Sequence, residues 1–145
     1  MKRLCFLFFP LFMFACEKDQ VQLEALGENS SILGTWVEVN DDPLLVPEDG
    51  ISRFARSADF DPDSYGFAFH EDGLFTERKN AGWCGTPPIA YDNFEGTWEP
   101  LSDTLIDITV AYWGGTLTYQ MQIVSLQGDE LGIKYLFSED RVEVK

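Results

Sequence analysis

Basic residues are scarce in this chain. Ten Lys and Arg stand against 25 Asp and Glu, a net charge of −15 over 145 residues. Such a surface has no footprint for a phosphate backbone, which excludes nucleic-acid binding, and anionic lipid headgroups repel it. Histidine occurs once, at His70, and cysteine three times, at Cys5, Cys16 and Cys84. Metal centres and nucleophile–base–orienter sets are therefore short of parts. Glycines 82, 85, 114 and 115 sit in turn-like contexts, so no phosphate cradle is built from them. No stretch after Ile32 keeps a helical period over ten residues. These gaps lead to an expectation of a non-enzyme with no cofactor and no metal. What remains is ordinary globular material, 45% hydrophobic and 24% charged, enough for one domain.

The N-terminal residues point to a compartment. Lys2 and Arg3 precede an apolar stretch from Leu4 to Ala15, broken by Pro10. Twelve residues make about 18 Å of helix, short of the roughly 30 Å hydrocarbon core, so a secretory signal fits better than a membrane span. Met13-Phe14-Ala15-Cys16 resembles the signal motif of bacterial lipoproteins, in which the cysteine is acylated and becomes the mature N-terminus. The resemblance implies a signal peptide over 1–15 and a lipid anchor of palmitate-type chains on Cys16. It also implies a membrane partner reached through those chains, since two or more acyl chains hold a protein durably. Glu17 is not the Asp that commonly retains lipoproteins in the inner membrane, which favours the outer membrane. Lys18-Asp19 is similar to a short charged tag that sends some of them to the cell surface. Cleavage before Cys16 would remove Lys2 and Arg3 and no acidic residue, taking the charge from −15 to −17. Cys5 would leave with the signal and Cys16 would carry lipid, so Cys84 would stand alone and no intrachain disulfide could form.

Residues 16–31 read as lipidated cysteine and polar tether, and 32–145 as the folded domain. Short β-like runs separated by turn residues are expected at Leu33–Val39, Tyr65–His70, Leu74–Lys79, Phe94–Glu99, Thr104–Tyr112, Thr116–Leu126, Glu130–Ser138 and Arg141–Val144. Within them large apolar residues alternate with polar ones, as in Leu117, Tyr119, Met121 and Ile123 against Thr118, Gln120 and Gln122. One oily face per strand is the pattern of an antiparallel sheet covering one core, which a sandwich would also satisfy. Connections of two to four residues from Phe94 onward favour an up-and-down meander, and eight strands suit a small closed barrel.

Leu33-Gly34-Thr35-Trp36 resembles the Gly-x-Trp signature of lipocalins, whose Trp plugs one end of the barrel. Phe69-His70-Glu71-Asp72-Gly73-Leu74-Phe75, Phe94-Glu95-Gly96-Thr97-Trp98 and Asp103-Thr104-Leu105 are similar to hairpins of bacterial lipocalin-like lipoproteins. The likeness runs from Ile32 to Phe137. It implies an all-β, single, antiparallel eight-stranded barrel. Residues 40–64 depart from the pattern, and in the lipocalin plan such an insert is a lid over the barrel mouth.

Few constellations could carry chemistry. His70 sits beside a turn on a polar face, and Cys84 lies in a Gly/Pro-punctuated loop, so a thiol–imidazole pair is not expected. Asp59, Asp61 and Asp63 share the spacing of a calcium loop, but Ser64 stands where the turn glycine belongs and His70 where the bidentate Glu belongs. The aromatics say more. Trp36, Phe67, Phe69, Phe75, Trp98, Tyr119, Tyr135 and Phe137 share the inward parity. They either fill the barrel or line a pocket for one small hydrophobic ligand, with tyrosine hydroxyls to orient it. Trp83 and Trp113 fall in turns and are candidates for the rim of such a pocket or for a docking surface. The alternative function is a solid barrel that binds a protein, in the manner of a protease inhibitor, whose partner the residues do not name.

Overall fold

A computed structural model describes residues 31–39, 47–82, 90–112 and 114–136, and the backbone of 142–144. The strands are β1 (Gly34–Glu38), β2 (Ser52–Ser57), β3 (Gly66–Phe69), β4 (Leu74–Asn80), β5 (Tyr91–Ser102), β6 (Leu105–Tyr112), β7 (Gly115–Gln127), β8 (Glu130–Leu136) and β9 (Val142–Val144). Every pairing is antiparallel, and no helix occurs among the described residues. From β3 to β8 each strand pairs with its successor, and the β6–β7 and β2–β8 pairings close the sheet. The result is an eight-stranded up-and-down barrel rather than a sandwich. An edgeless ring leaves no unpaired row of backbone groups around its wall.

One position in the ring differs from the sequence expectation. The residues expected to form a lid contain β2, which lies between β1 and β8, while β1 pairs on its other side with β3. The C-terminal segment expected to supply the eighth strand is instead β9, a ninth strand paired with Gly115–Leu117 of β7. The reason is compositional. Ser52-Arg53-Phe54-Ala55-Arg56-Ser57 places a single large apolar side chain, Phe54, in the core at 1% exposure and flanks it with two arginines. That is too little alternation for a strand to show itself in the sequence. Residues 40–46 of the insert lie outside the described residues.

Residues 58–65 carry the chain from the lower end of β2, past β1, to the upper end of β3. They run as a strap over the outer face. Arg78, on the outward parity of β4, donates from Nε to the carbonyl of Asp61 at 2.9 Å and from Nη2 to that of Pro62 at 2.7 Å. At the start of β3, Gly66 permits the close approach of β1, because a Cβ there would stand 2.5 Å from the Trp36 carbonyl oxygen. On β7 the ladder slips between Ile123 and Ser125, so the inward series Tyr119, Met121, Ile123 resumes at Leu126. Ser125 then opposes Gly132, whose missing side chain accepts the crowded hydroxyl.

The lower end is plugged. Trp36 has no exposed surface, and its Nε1 donates to the carbonyl of Ile32 at 2.7 Å. Arg56 closes over it: the guanidinium carbon stands 4.3 Å from the indole centroid, Nη1 reaches the Leu33 carbonyl and Nη2 that of Ser31, both at 2.6 Å. One planar cation thus satisfies the carbonyls of the incoming chain and covers the plug. Asp129 pairs with Arg56 at 3.3 Å, but it is 82% exposed and adds little. Arg56→Met should lower unfolding stability by about 2 kcal/mol, since two charge-assisted hydrogen bonds and a cation–π contact disappear together. Asp129→Asn should change it by less than about 0.5 kcal/mol. Urea midpoints of the two variants check the contrast.

Candidate functional site

Inside the barrel an aromatic column rises from the plug. Phe54, Phe67, Phe69 and Phe75 are each 0–2% exposed, and their ring centroids lie 4.6–5.9 Å apart along the series. Trp98 meets Phe69 edge-on at 5.4 Å, and its Nε1 donates to the His70 carbonyl. With Ile106, Ile108, Val110, Met121, Ile133 and their neighbours, these side chains fill the lower and middle barrel. At the upper end the filling changes character.

Strand β4 explains the change. Its inward positions run Phe75, then Glu77, then Lys79, so the parity that buries a phenyl ring next buries a carboxylate. Glu77 is 5% exposed, the one buried charged residue among those described. Bringing a carboxylate into such surroundings is unfavourable unless its oxygens are fully engaged, and these are. Lys79 Nζ binds Oε2 at 2.6 Å, Tyr65 donates to Oε1 at 2.7 Å, and Tyr119 donates to the same oxygen at 3.3 Å. Tyr135 stands 3.0 Å from the Tyr65 hydroxyl, and since the Tyr65 O–H is directed at Glu77, Tyr135 is the donor in that pair. Among the described residues no buried side-chain nitrogen or oxygen lacks a partner.

The positions follow from pairing. Glu77 lies opposite Phe67 on β3, and Tyr65 immediately precedes that strand. Tyr119 and Tyr135 come from β7 and β8, with centroids 5.8 Å apart. Glu38, at the end of β1, donates its backbone N–H to the Tyr65 carbonyl, which brings a second, half-buried carboxylate to the same end. Burial pushes the Glu38 carboxyl above its ordinary value. Burial is also the largest cause raising the phenols of Tyr65, Tyr119 and Tyr135, and the Glu77 charge adds to it in all three. These hydroxyls therefore remain protonated donors across the physiological range.

A cavity of about 220 Å³, open to solvent, lies against this network, lined among the described residues by Tyr65, Glu77, Lys79, Leu117, Tyr119 and Tyr135. Its walls are mainly ring faces and Leu117, with the carboxylate and ammonium on one side. A second depression of about 640 Å³ at the lower end, beside Leu33, Phe69 and His70, is a wide surface hollow.

Of the aromatics expected to form a pocket, Trp36, Phe67, Phe69 and Phe75 are brought together as solid core, and Trp98 packs on its edge. Tyr119 and Tyr135 line the cavity. Phe137 and the expected rim residues Trp83 and Trp113 lie outside the described residues, as do Cys16 and Cys84. His70 is exposed, with Nε2 3.1 Å from Thr76 Oγ1. Asp61 accepts from the backbone N–H of Asp63, which makes an ordinary acidic turn. Tyr65, Glu77 and Lys79 went unread in the sequence. Their signal was available as two charged residues continuing the inward parity from Phe75.

Comparison with protein-family models, curated proteins and solved structures finds no match to this chain. The closed antiparallel barrel is compatible with the lipocalin-like plan that its motifs resemble.

The three raised phenols make stability depend on pH in a defined direction. Unfolding returns them to a value near 10.0, so the unfolded chain releases protons that the folded chain keeps. The contribution of these phenols to stability should be constant below about pH 9 and be lost as the pH rises through 10 and beyond. In an absorbance titration of phenolate, three of the five tyrosines should ionise only as the barrel unfolds, whereas in strong urea all five should titrate together near pH 10.

Proposed function

We propose that this chain is a non-catalytic binding protein, anchored to the bacterial envelope through Cys16, whose barrel receives one small ligand at its upper end. The observation that carries the reading is the open cavity over the Glu77 network, with three tyrosine rings as walls. Ligand sites combine apolar surface with a few placed polar groups, and this one has that make-up. The polar groups hold one another, carboxylate to ammonium and phenol to phenol, which suits orientation of a guest better than attack upon it.

Size limits the ligand. A cavity of about 220 Å³ is equivalent to roughly seven waters at about 30 Å³ each, room for around ten non-hydrogen atoms. At roughly 0.5 kcal/mol per atom, binding reaches about −5 kcal/mol, or a dissociation constant near 0.2 mM. Indole is a suitable neutral probe. Calorimetry should show it binding in the range of about 0.1–1 mM, and Leu117→Trp, which fills the cavity, should weaken it at least about tenfold without loss of folding.

The anchor reading rests on the lipoprotein-like motif ending at Cys16, with the outer membrane favoured by Glu17. Its test is fractionation: the wild-type chain should sediment with envelope membranes, and Cys16→Ser should move it to the soluble fraction. A second reading, a solid barrel that docks a protein partner, is favoured by the packed column of Trp36, Phe67, Phe69 and Phe75 below the cavity. Failure of indole and like-sized probes to bind would favour that reading.

A further inference from the structure

We infer that the ligand of the upper cavity is a small organic cation, a primary ammonium on a short aromatic or apolar body, received by Glu77 in exchange for Lys79. The inference rests on the binding reading above and specifies its chemistry.

The site already holds an ammonium. Lys79 Nζ sits 2.6 Å from Glu77 Oε2 and 5.0 Å from the centroid of the Phe94 ring, ion-paired on one side and against a π face on another. A ligand ammonium in that place would meet the same carboxylate, with the tyrosine rings around its body. Lys79 is also the partner best able to leave. It lies next to the last residue of β4, its side chain is 19% exposed against 7% for Glu77, and its four-carbon stem can swing the charge into water. Glu77 has no such freedom, because Tyr65 and Tyr119 hold its other oxygen.

The surrounding charge gives the sign. With Lys79 turned out, the upper end presents two carboxylates, buried Glu77 and half-buried Glu38. A net charge of −15 over the whole chain concentrates cations near the barrel and repels anions. An anionic ligand would have to overcome that field to reach one lysine already committed to a carboxylate. Leu117 and the ring faces of Tyr119 and Tyr135 suit an apolar or aromatic body attached to the ammonium.

Three probes of one shape separate the outcomes in calorimetric titrations of the purified full chain: phenethylamine, 2-phenylethanol and 3-phenylpropionate. Phenethylamine should bind at least about tenfold more tightly than the alcohol, as an ion pair with added cation–π contact supplies. Glu77→Gln should remove most of that preference while leaving the alcohol within about threefold, and Lys79→Met should tighten the amine further by freeing its place. Equal binding of amine and alcohol would overturn the cation assignment while leaving the binding reading intact. Tighter binding of the carboxylate, lost in Lys79→Met, would overturn it in favour of an anion site. Binding of none of the three would overturn both. If Glu77→Gln does not fold, the wild-type ranking and Lys79→Met decide.

Discussion

Four residue pairs, Ser52 to Ala55 against Ile133 to Glu130, close the sheet, and the interior depends on them. With β2 absent, β1 and β8 would be open edges and water would reach the aromatic column from the side. The seal is made by a strand with one large core side chain, Phe54, which packs on Phe67 at 4.6 Å and opposes Leu131. Arg56 on the same strand covers Trp36 and gathers the incoming chain. Closing the ring and covering the plug in its floor are thus tasks of one six-residue strand.

That enclosure gives the upper end its chemistry. A carboxylate on an open sheet would be hydrated and of no consequence. Inside the closed wall, Glu77 must be engaged by Lys79, Tyr65 and Tyr119, and those partners must in turn be positioned by β3, β4 and β7. The raised phenols report the same enclosure, because burial is what holds their protons in place. The barrel therefore divides along its axis into a solid hydrophobic floor and a small hollow walled mainly by tyrosine rings and Leu117, with an ion pair beside it. The question of whether it is filled or empty has a different answer at each end.

Much of this was legible from alternation alone. Phe67 with Phe69, Ile106 with Ile108 and Val110, and Tyr119 with Met121 and Ile123 announce strands and their buried faces, and the structure buries each of them. The alternation failed at three kinds of place. In β2, arginines mask a strand, because a long cation can lie across a barrel end as well as in solvent. On β7, the slip after Ile123 moves the inward series to Leu126, and a bulge leaves no mark in a local pattern. On β4, the inward parity passes from Phe75 to Glu77 and Lys79, and hydrophobicity-based reading stops where the oily residues stop.

Residue order by itself determined that this is an all-β domain with a greasy face on most of its strands and a strongly acidic composition. Those properties are local, readable from period, charge and short motifs. Only the tertiary structure decided that β2 rather than the C-terminal segment completes the ring, and that Glu38, Tyr65, Glu77, Lys79, Tyr119 and Tyr135 meet at one end of it. These residues are separated by up to about a hundred positions in the chain. Ring closure brings them within hydrogen-bonding distance, and no property of a single strand records which others it will face across the barrel.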